Sequence, residues 1–186
     1  VNKVSESLEQ VQTTEERQEQ LWDQAIMQLE KWDLDNAEET LQDLLEIDPD
    51  DAEAINKMGV IHARRQNYSA AENCFNRALR IDPNIAMAHS NLGNIYQERG
   101  MTERAIREYE TAIRLDPEYP VAHHNLGVLY KRTGRVSESV DMLKKAQHLD
   151  KDQMKRSIRN SPKQRRMMRL IWTVLIAVLA YFLFVR

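Results

Sequence analysis

The stretch AMAHSNLGNIYQERGMTERAIREYETAIRLDPEY (residues 86–119) decides the fold once it is set above PVAHHNLGVLYKRTGRVSESVDMLKKAQHLDKDQ (120–153). The two align over 34 residues without a gap, and AEAINKMGVIHARRQNYSAAENCFNRALRIDPNI (52–85) joins them in the same register. Leu92 and Leu126 share a position with Met58, and Gly93 and Gly127 share one with Gly59; Ala78, Ala112 and Ala146 recur, as do Pro83 and Pro117. One step further back, residues 18–51 keep Ala37, Leu41 and the Ile47–Asp48–Pro49 ending but carry Gln24 and Ala25 where the Leu–Gly pair stands elsewhere. Self-similarity at a fixed period of this length marks a repeat array.

Each unit reads as two helices. In 86–119, Leu92, Ile95 and Tyr96, and then Ala105, Tyr109, Ala112 and Ile113, recur at helical spacing on two segments. Gly100 falls where the first helix needs a left-handed C-cap, and Thr102 is placed to cap the second. Asp116–Pro117 ends that helix and starts the next, proline being tolerated only in a first turn. Gly93 is assigned to the seam between helices, where the absence of a Cβ lets them approach. A single helix pair leaves an apolar face uncovered, so the units must stack. The prediction is an all-α solenoid of tandem helix–turn–helix units at 18–51, 52–85, 86–119 and 120–153, after an N-terminal extension over 1–17. Beyond it, Met154 and Ile158 are expected to pack a short helical extension on the last unit, until Ser161–Pro162 breaks it.

The Leu–Gly–Tyr, Ala–aromatic–Ala and Pro positions resemble the tetratricopeptide repeat, and the resemblance covers residues 18–153. It implies a right-handed superhelix whose concave groove, lined by the first helix of each unit, binds a protein or peptide partner. The groove candidates are Asn56, Lys57 and Arg64 in the second unit, Asn91 and Asn94 in the third, and His124, Asn125, Lys131 and Arg132 in the fourth. Asn91 and Asn125 share a repeat position, and an amide offers both donor and acceptor to an extended peptide backbone. That column is similar to the asparagine ladder of O-GlcNAc transferase. A co-chaperone carboxylate clamp is not expected, because Asn56, Val121 and Asn125 stand where it needs basic residues and Val60 where it needs an asparagine; Lys57, Arg64, Lys131 and Arg132 still favour an acidic ligand. Trp22 at a groove position and Trp32 at the first turn read as packing residues, with a partner-binding edge as the sharper alternative.

Composition bears on the remaining classes. The formal net charge of −3 conceals an acidic head: residues 1–51 hold 16 acids against 3 bases, 52–150 hold 12 against 14, and 151–186 hold 1 against 9. This acidic head argues against nucleic acid as a partner. Cys74 is the only cysteine, which fits a reducing compartment. The opening VNKVSESLEQVQ does not read as a secretory leader. No phosphate loop or HExxH occurs, and the adjacent His123 and His124 diverge by about 100° on a helix. A non-enzymatic protein with no cofactor and no metal is therefore expected.

Residues 170–186, LIWTVLIAVLAYFLFVR, are of another kind: Leu170 to Val185 contains no charged residue. Sixteen residues span about 24 Å as a helix against a hydrocarbon core of roughly 30 Å, and Met167, Met168 and Arg169 extend the reach to about 28 Å. Eleven of the sixteen are Leu, Ile, Val or Phe, which favours insertion by about 3 to 7 kcal/mol in total. The segment reads as a transmembrane tail anchor over 170–185 that places the chain in a lipid bilayer. The basic neck over 154–169, with Lys163, Arg165, Arg166 and Arg169, keeps the repeats cytosolic. A short span with basic flanks suits a prokaryotic plasma membrane, with a mitochondrial outer membrane as the alternative. The function expected is a membrane-anchored scaffold or adaptor. The alternative is a self-associating structural membrane protein, a homo-oligomer similar in layout to the mitochondrial fission adaptor.

Overall fold

The computed structural model describes residues 2–160, with side chains from 14 to 157. Eight helices follow one another: α1 (Asn2–Glu30), α2 (Leu34–Ile47), α3 (Ala52–Arg64), α4 (Tyr68–Ile81), α5 (Ala86–Glu98), α6 (Thr102–Leu115), α7 (Pro120–Arg132) and α8 (Val136–Asn160). From α2 onward each helix begins 34 residues after its counterpart, at 34, 68, 102 and 136 and at 52, 86 and 120. The segments 161–186 lie outside the described residues, and with them the proposed anchor and Lys163, Arg165, Arg166 and Arg169. Among the described residues no helix is long and apolar enough to cross a membrane.

The core runs through the stack, and each cluster joins neighbouring units. Ala71 and Phe75 of α4 meet Leu92 and Ile95 of α5. Ala105 and Tyr109 of α6 meet Leu126, Leu129 and Tyr130 of α7. Ala25 and Leu29 of α1 meet Leu41 and Leu44 of α2 and Ile61 of α3, with Trp22 packed alongside. Charged contacts repeat across the outer seams: Arg65 reaches Asp35 and Glu38, each at 2.5 Å, and one unit on Arg99 reaches Glu72.

The turns between units correct one expectation. Pro117 starts no helix; it lies in the turn after α6, whose C-cap is Asp116, and the proline in the first turn of α7 is Pro120. Asp48, Asp82 and Asp116 each accept a hydrogen bond through Oδ1 from the backbone N–H two residues on, at 2.9 to 3.1 Å. The Asp–Pro pair is thus an Asx-turn that bends the chain back for the next unit. Thr102 is not a cap either. It is the first residue of α6, and the N-cap position is Met101, which makes no side-chain cap bond. Asp51 does cap α3, its Oδ1 accepting from the backbone N–H groups of Glu53 and Ala54 at 3.0 Å each.

Lys151 replaces the proline in the fourth unit, and α8 accordingly continues to Asn160. Met154 does not pack on the last repeat, being 66% exposed. Gln153 and Arg156 tie the extension down instead: Gln153 Nε2 donates to the Glu118 carbonyl at 3.2 Å, and Arg156 pairs with the Glu118 carboxylate at 2.9 Å. That hydrogen-bonded guanidinium holds the Glu118 carboxyl below its usual range. Likewise, α1 runs unbroken from Asn2 to Glu30, so no break separates residues 1–17 from the first unit.

Between the two helices of each unit one residue is left-handed: Trp32 (φ 61°), Gln66 (φ 61°), Gly100 (φ 71°) and Gly134 (φ 80°). These four are successive members of one repeat position. At Gly100 an added Cβ would meet no atom within 4 Å, so a substitution there tests backbone conformation alone. Gly100→Ala is expected to cost about 1 kcal/mol, and Gln66→Gly to return a comparable amount. Thermal melts of the two variants should shift in opposite directions.

Candidate functional site

The first helices of the units, α3, α5 and α7, carry the predicted groove residues, and the structure sorts them into three groups. The first is two sets of hydrogen-bonded amides. Asn91 donates through Nδ2 to Asn56 Oδ1 at 3.3 Å, and Asn125 donates through Nδ2 to Asn94 Oδ1 at 2.9 Å. Asn94 Oδ1 also accepts from the Tyr109 hydroxyl at 2.7 Å. Burial, reinforced by nearby Glu98, pushes the Tyr109 hydroxyl well above its usual pKa, so it remains a donor across the working range. Asn56 is 1% exposed and supports Asn91 from beneath, whereas Asn91, Asn94 and Asn125 are half-buried at the groove surface.

The second group surrounds a cavity of about 320 Å³ between α3, α4 and α5. Val60, Ala63, Tyr68, Phe75 and Ile95 give it an apolar wall, with Asn91, Asn94, Arg64 and Glu98 completing the lining. Arg64 is committed elsewhere as well. Its Nη1 donates to the Leu29 carbonyl at 2.7 Å, and its guanidinium stacks over the Trp32 ring, 4.4 Å from the centroid. Arg64 therefore ties the first unit to the second, and Trp32, 68% exposed, supplies the aromatic face. Lys57, Lys131 and Arg132 form no ion pair and no hydrogen bond among the described residues.

The third group lies apart. His124 lines a separate space of about 480 Å³ against Val140, Leu143, Lys144 and Gln147 of α8. Position explains this: the residues equivalent to His124 in the preceding units, Asn56 and Ser90, are buried where the next unit stacks. The fourth unit has no described successor, and His124 is exposed there. Two other histidines serve turns. His89 Nε2 donates to the Pro83 carbonyl at 3.3 Å and His123 Nε2 to the Pro117 carbonyl at 3.1 Å. No cluster of His, Cys, Asp or Glu among the described residues is arranged to hold a metal ion.

Three residues important to this geometry were absent from the sequence-derived set: Tyr68, Phe75 and Tyr109. A signal for two of them was present, since Phe75 and Tyr109 occupy one repeat position and face Gly59 and Gly93.

Models of the tetratricopeptide repeat match the chain at 61–100 and 93–134, and again at 122–155. No curated protein matches the chain. Among solved structures, one of MamA is 26% identical, covering 74% of this chain and 81% of its own, with a TM-score of 0.60. A mutant O-GlcNAc transferase of Thermobaculum terrenum is 32% identical over 63% of this chain but only 22% of its own, also with a TM-score of 0.60. MamA from Desulfovibrio magneticus, at 23% identity and a TM-score of 0.59, shares the fold.

Proposed function

Tetratricopeptide repeats build the chain from residue 61 to residue 155, and on that premise we propose a membrane-anchored adaptor that holds a segment of a partner protein in its concave groove. The observation carrying this reading is the set of bonded amides on α5 and α7: Asn91 is oriented by its bond to Asn56, and Asn94 and Asn125 are bonded to one another, with Tyr109 also bonded to Asn94. Preorganised amides bind a peptide backbone with little ordering cost. The role proposed is binding. The similarity to part of an O-GlcNAc transferase supports a tetratricopeptide-repeat scaffold.

Anchoring rests on residues 170–185 and the bases before them. The test joins both parts. The full chain, reconstituted in its membrane with a photo-crosslinker at Gln97, should capture a partner that the Asn91→Ala/Asn125→Ala variant loses while it remains folded. Retained capture removes the groove from the account. Leu175→Lys with Leu179→Lys should move the chain from the membrane pellet to the soluble fraction with its repeats folded. Unfolding of that variant instead makes the apolar segment part of the core.

Self-association is a second reading, favoured by the uncovered end of the stack, where Val136 and Val140 are exposed beside the His124 cavity. A monomeric mass for the full chain in detergent removes it.

A further inference from the structure

We infer that the groove selects an extended acidic peptide bearing one neutral apolar side chain, seated in the cavity between α3 and α5. The inference rests on the groove reading above and names the ligand that fits it. The cavity has apolar side chains over most of its wall, and its two charged lining residues, Arg64 and Glu98, are opposite in sign. It therefore presents no net charge, and a charged side chain entering it would lose water without a matched partner. A volume of about 320 Å³ suits one side chain, not a folded element.

The amides beside the cavity offer complementary groups. Asn91 spends one of its two Nδ2 hydrogens on Asn56, and its Oδ1 remains free to accept. Asn94 Oδ1 is occupied by both Tyr109 and Asn125, which leaves its Nδ2 as a donor. One residue of an extended strand turns its N–H and its C=O to the same side. An acceptor at Asn91 and a donor at Asn94, one helical turn apart, match that edge. The residue so held is the one beside the cavity.

Charge sets the flanks. Lys57 occupies, one unit earlier, the position of Asn91. Lys131 and Arg132 occupy, two units later, the positions of Ala63 and Arg64, both of which line the cavity. None of these three bases is paired among the described residues, so the cavity lies between unpaired cations toward either end of the groove. At roughly 8–10 Å per packed helix the separation is about 20 Å, which about six extended residues cover. Acidic residues on both sides of the apolar one reach these cations.

The probes are fluorescein-labelled seven-residue peptides with Glu at two positions on each side of a central Leu, the same peptide with central Ala, and a Lys-flanked Leu peptide, titrated by anisotropy onto the full chain in detergent. The Leu peptide is expected to bind at least tenfold tighter than the Ala peptide, and the Lys-flanked peptide at least tenfold weaker than the Leu peptide. Ala63→Leu, which fills the cavity, should abolish the Leu-over-Ala preference while leaving the Ala peptide's affinity as in the parent. Should that variant unfold, Tyr68→Ala enlarges the same cavity and is expected to shift the preference from Leu to Trp. Equal binding of the Leu and Ala peptides overturns the anchor and leaves the groove reading standing. Equal binding of the Glu- and Lys-flanked peptides overturns the acidic assignment. Failure of every peptide to bind overturns the inference together with the groove reading beneath it.

Discussion

Tyr109→Ala is expected to destabilise the array by about 3–5 kcal/mol, the cost of emptying a large aromatic site in a core. Its ring is fully buried, lies against Gly93 within the third unit, and belongs to the cluster formed by Ala105 with Leu126, Leu129 and Tyr130 of the fourth. The loss therefore falls on two contacts at once: the pairing of α5 with α6 and the stacking of α7 on α6. In a repeat array stability is close to a sum of unit and neighbour contributions, so weakening one junction uncouples what lies beyond it. Hydrogen exchange should show the amides of α7 and α8 opening at lower free energy than those of α3 and α4, where the parent gives more uniform protection. Tyr109→Phe separates packing from polarity. It keeps the ring, removes the donor to Asn94, and should cost about 1 kcal/mol. A Tyr109→Ala penalty no larger than that of Tyr109→Phe would show that the ring carries little of the junction.

The period of the fold is legible in the sequence because stacking requires the same small, large and turn-forming residues at each step. Gly93 against Tyr109 and Gly100 in the left-handed turn follow from register alone. The misread positions are those where one residue type serves two physical roles. Proline directly after an aspartate suits a helix start, yet here Asp48, Asp82 and Asp116 draw it into an Asx-turn. Trp32 and Gln66 adopt the left-handed conformation that Gly100 and Gly134 advertise, and only their alignment in the repeat gives that away.

The groove was legible in part. Helical spacing places Asn91, Asn94 and Asn125 on one stripe, and the structure bonds Asn94 with Asn125 while Asn91 pairs with Asn56. The same spacing does not separate the concave surface from the stacking surface that borders it. Asn56 and Ser90 are buried by the following unit, and the equivalent His124 is exposed only because no described unit covers it. Arg64 is read from sequence as an available cation, but its guanidinium is held by the Leu29 carbonyl and the Trp32 ring. Such captures depend on the end of a helix 35 residues away, which no local pattern reports.

Gly93→Ala should cost about 2–3 kcal/mol, at the upper end of ordinary overpacking. A Cβ built at Gly93 falls 2.6 Å from Tyr109 Cε1 and 2.7 Å from Cδ1, distances at which something must move. The ring has little room to give, because its hydroxyl is bonded to Asn94 and its faces are buried. The chain contains its own solution to this clash. In the first unit the equivalent pair is Ala25 with Leu41, both fully buried, so a methyl is accommodated beside the leucine at that junction, although a Cβ at Gly127 would fall 2.9 Å from Leu143 Cγ in the fourth. Tyr109→Leu alone leaves a void over Gly93 and should cost about 2 kcal/mol. Placed together, Gly93→Ala fills that void, and the double variant should be more stable than the sum of the singles by at least about 1 kcal/mol. Denaturant melts of the four proteins in the cycle measure this coupling directly. Strict additivity would mean that the glycine is required for the backbone path of α5, not for the ring that lies on it.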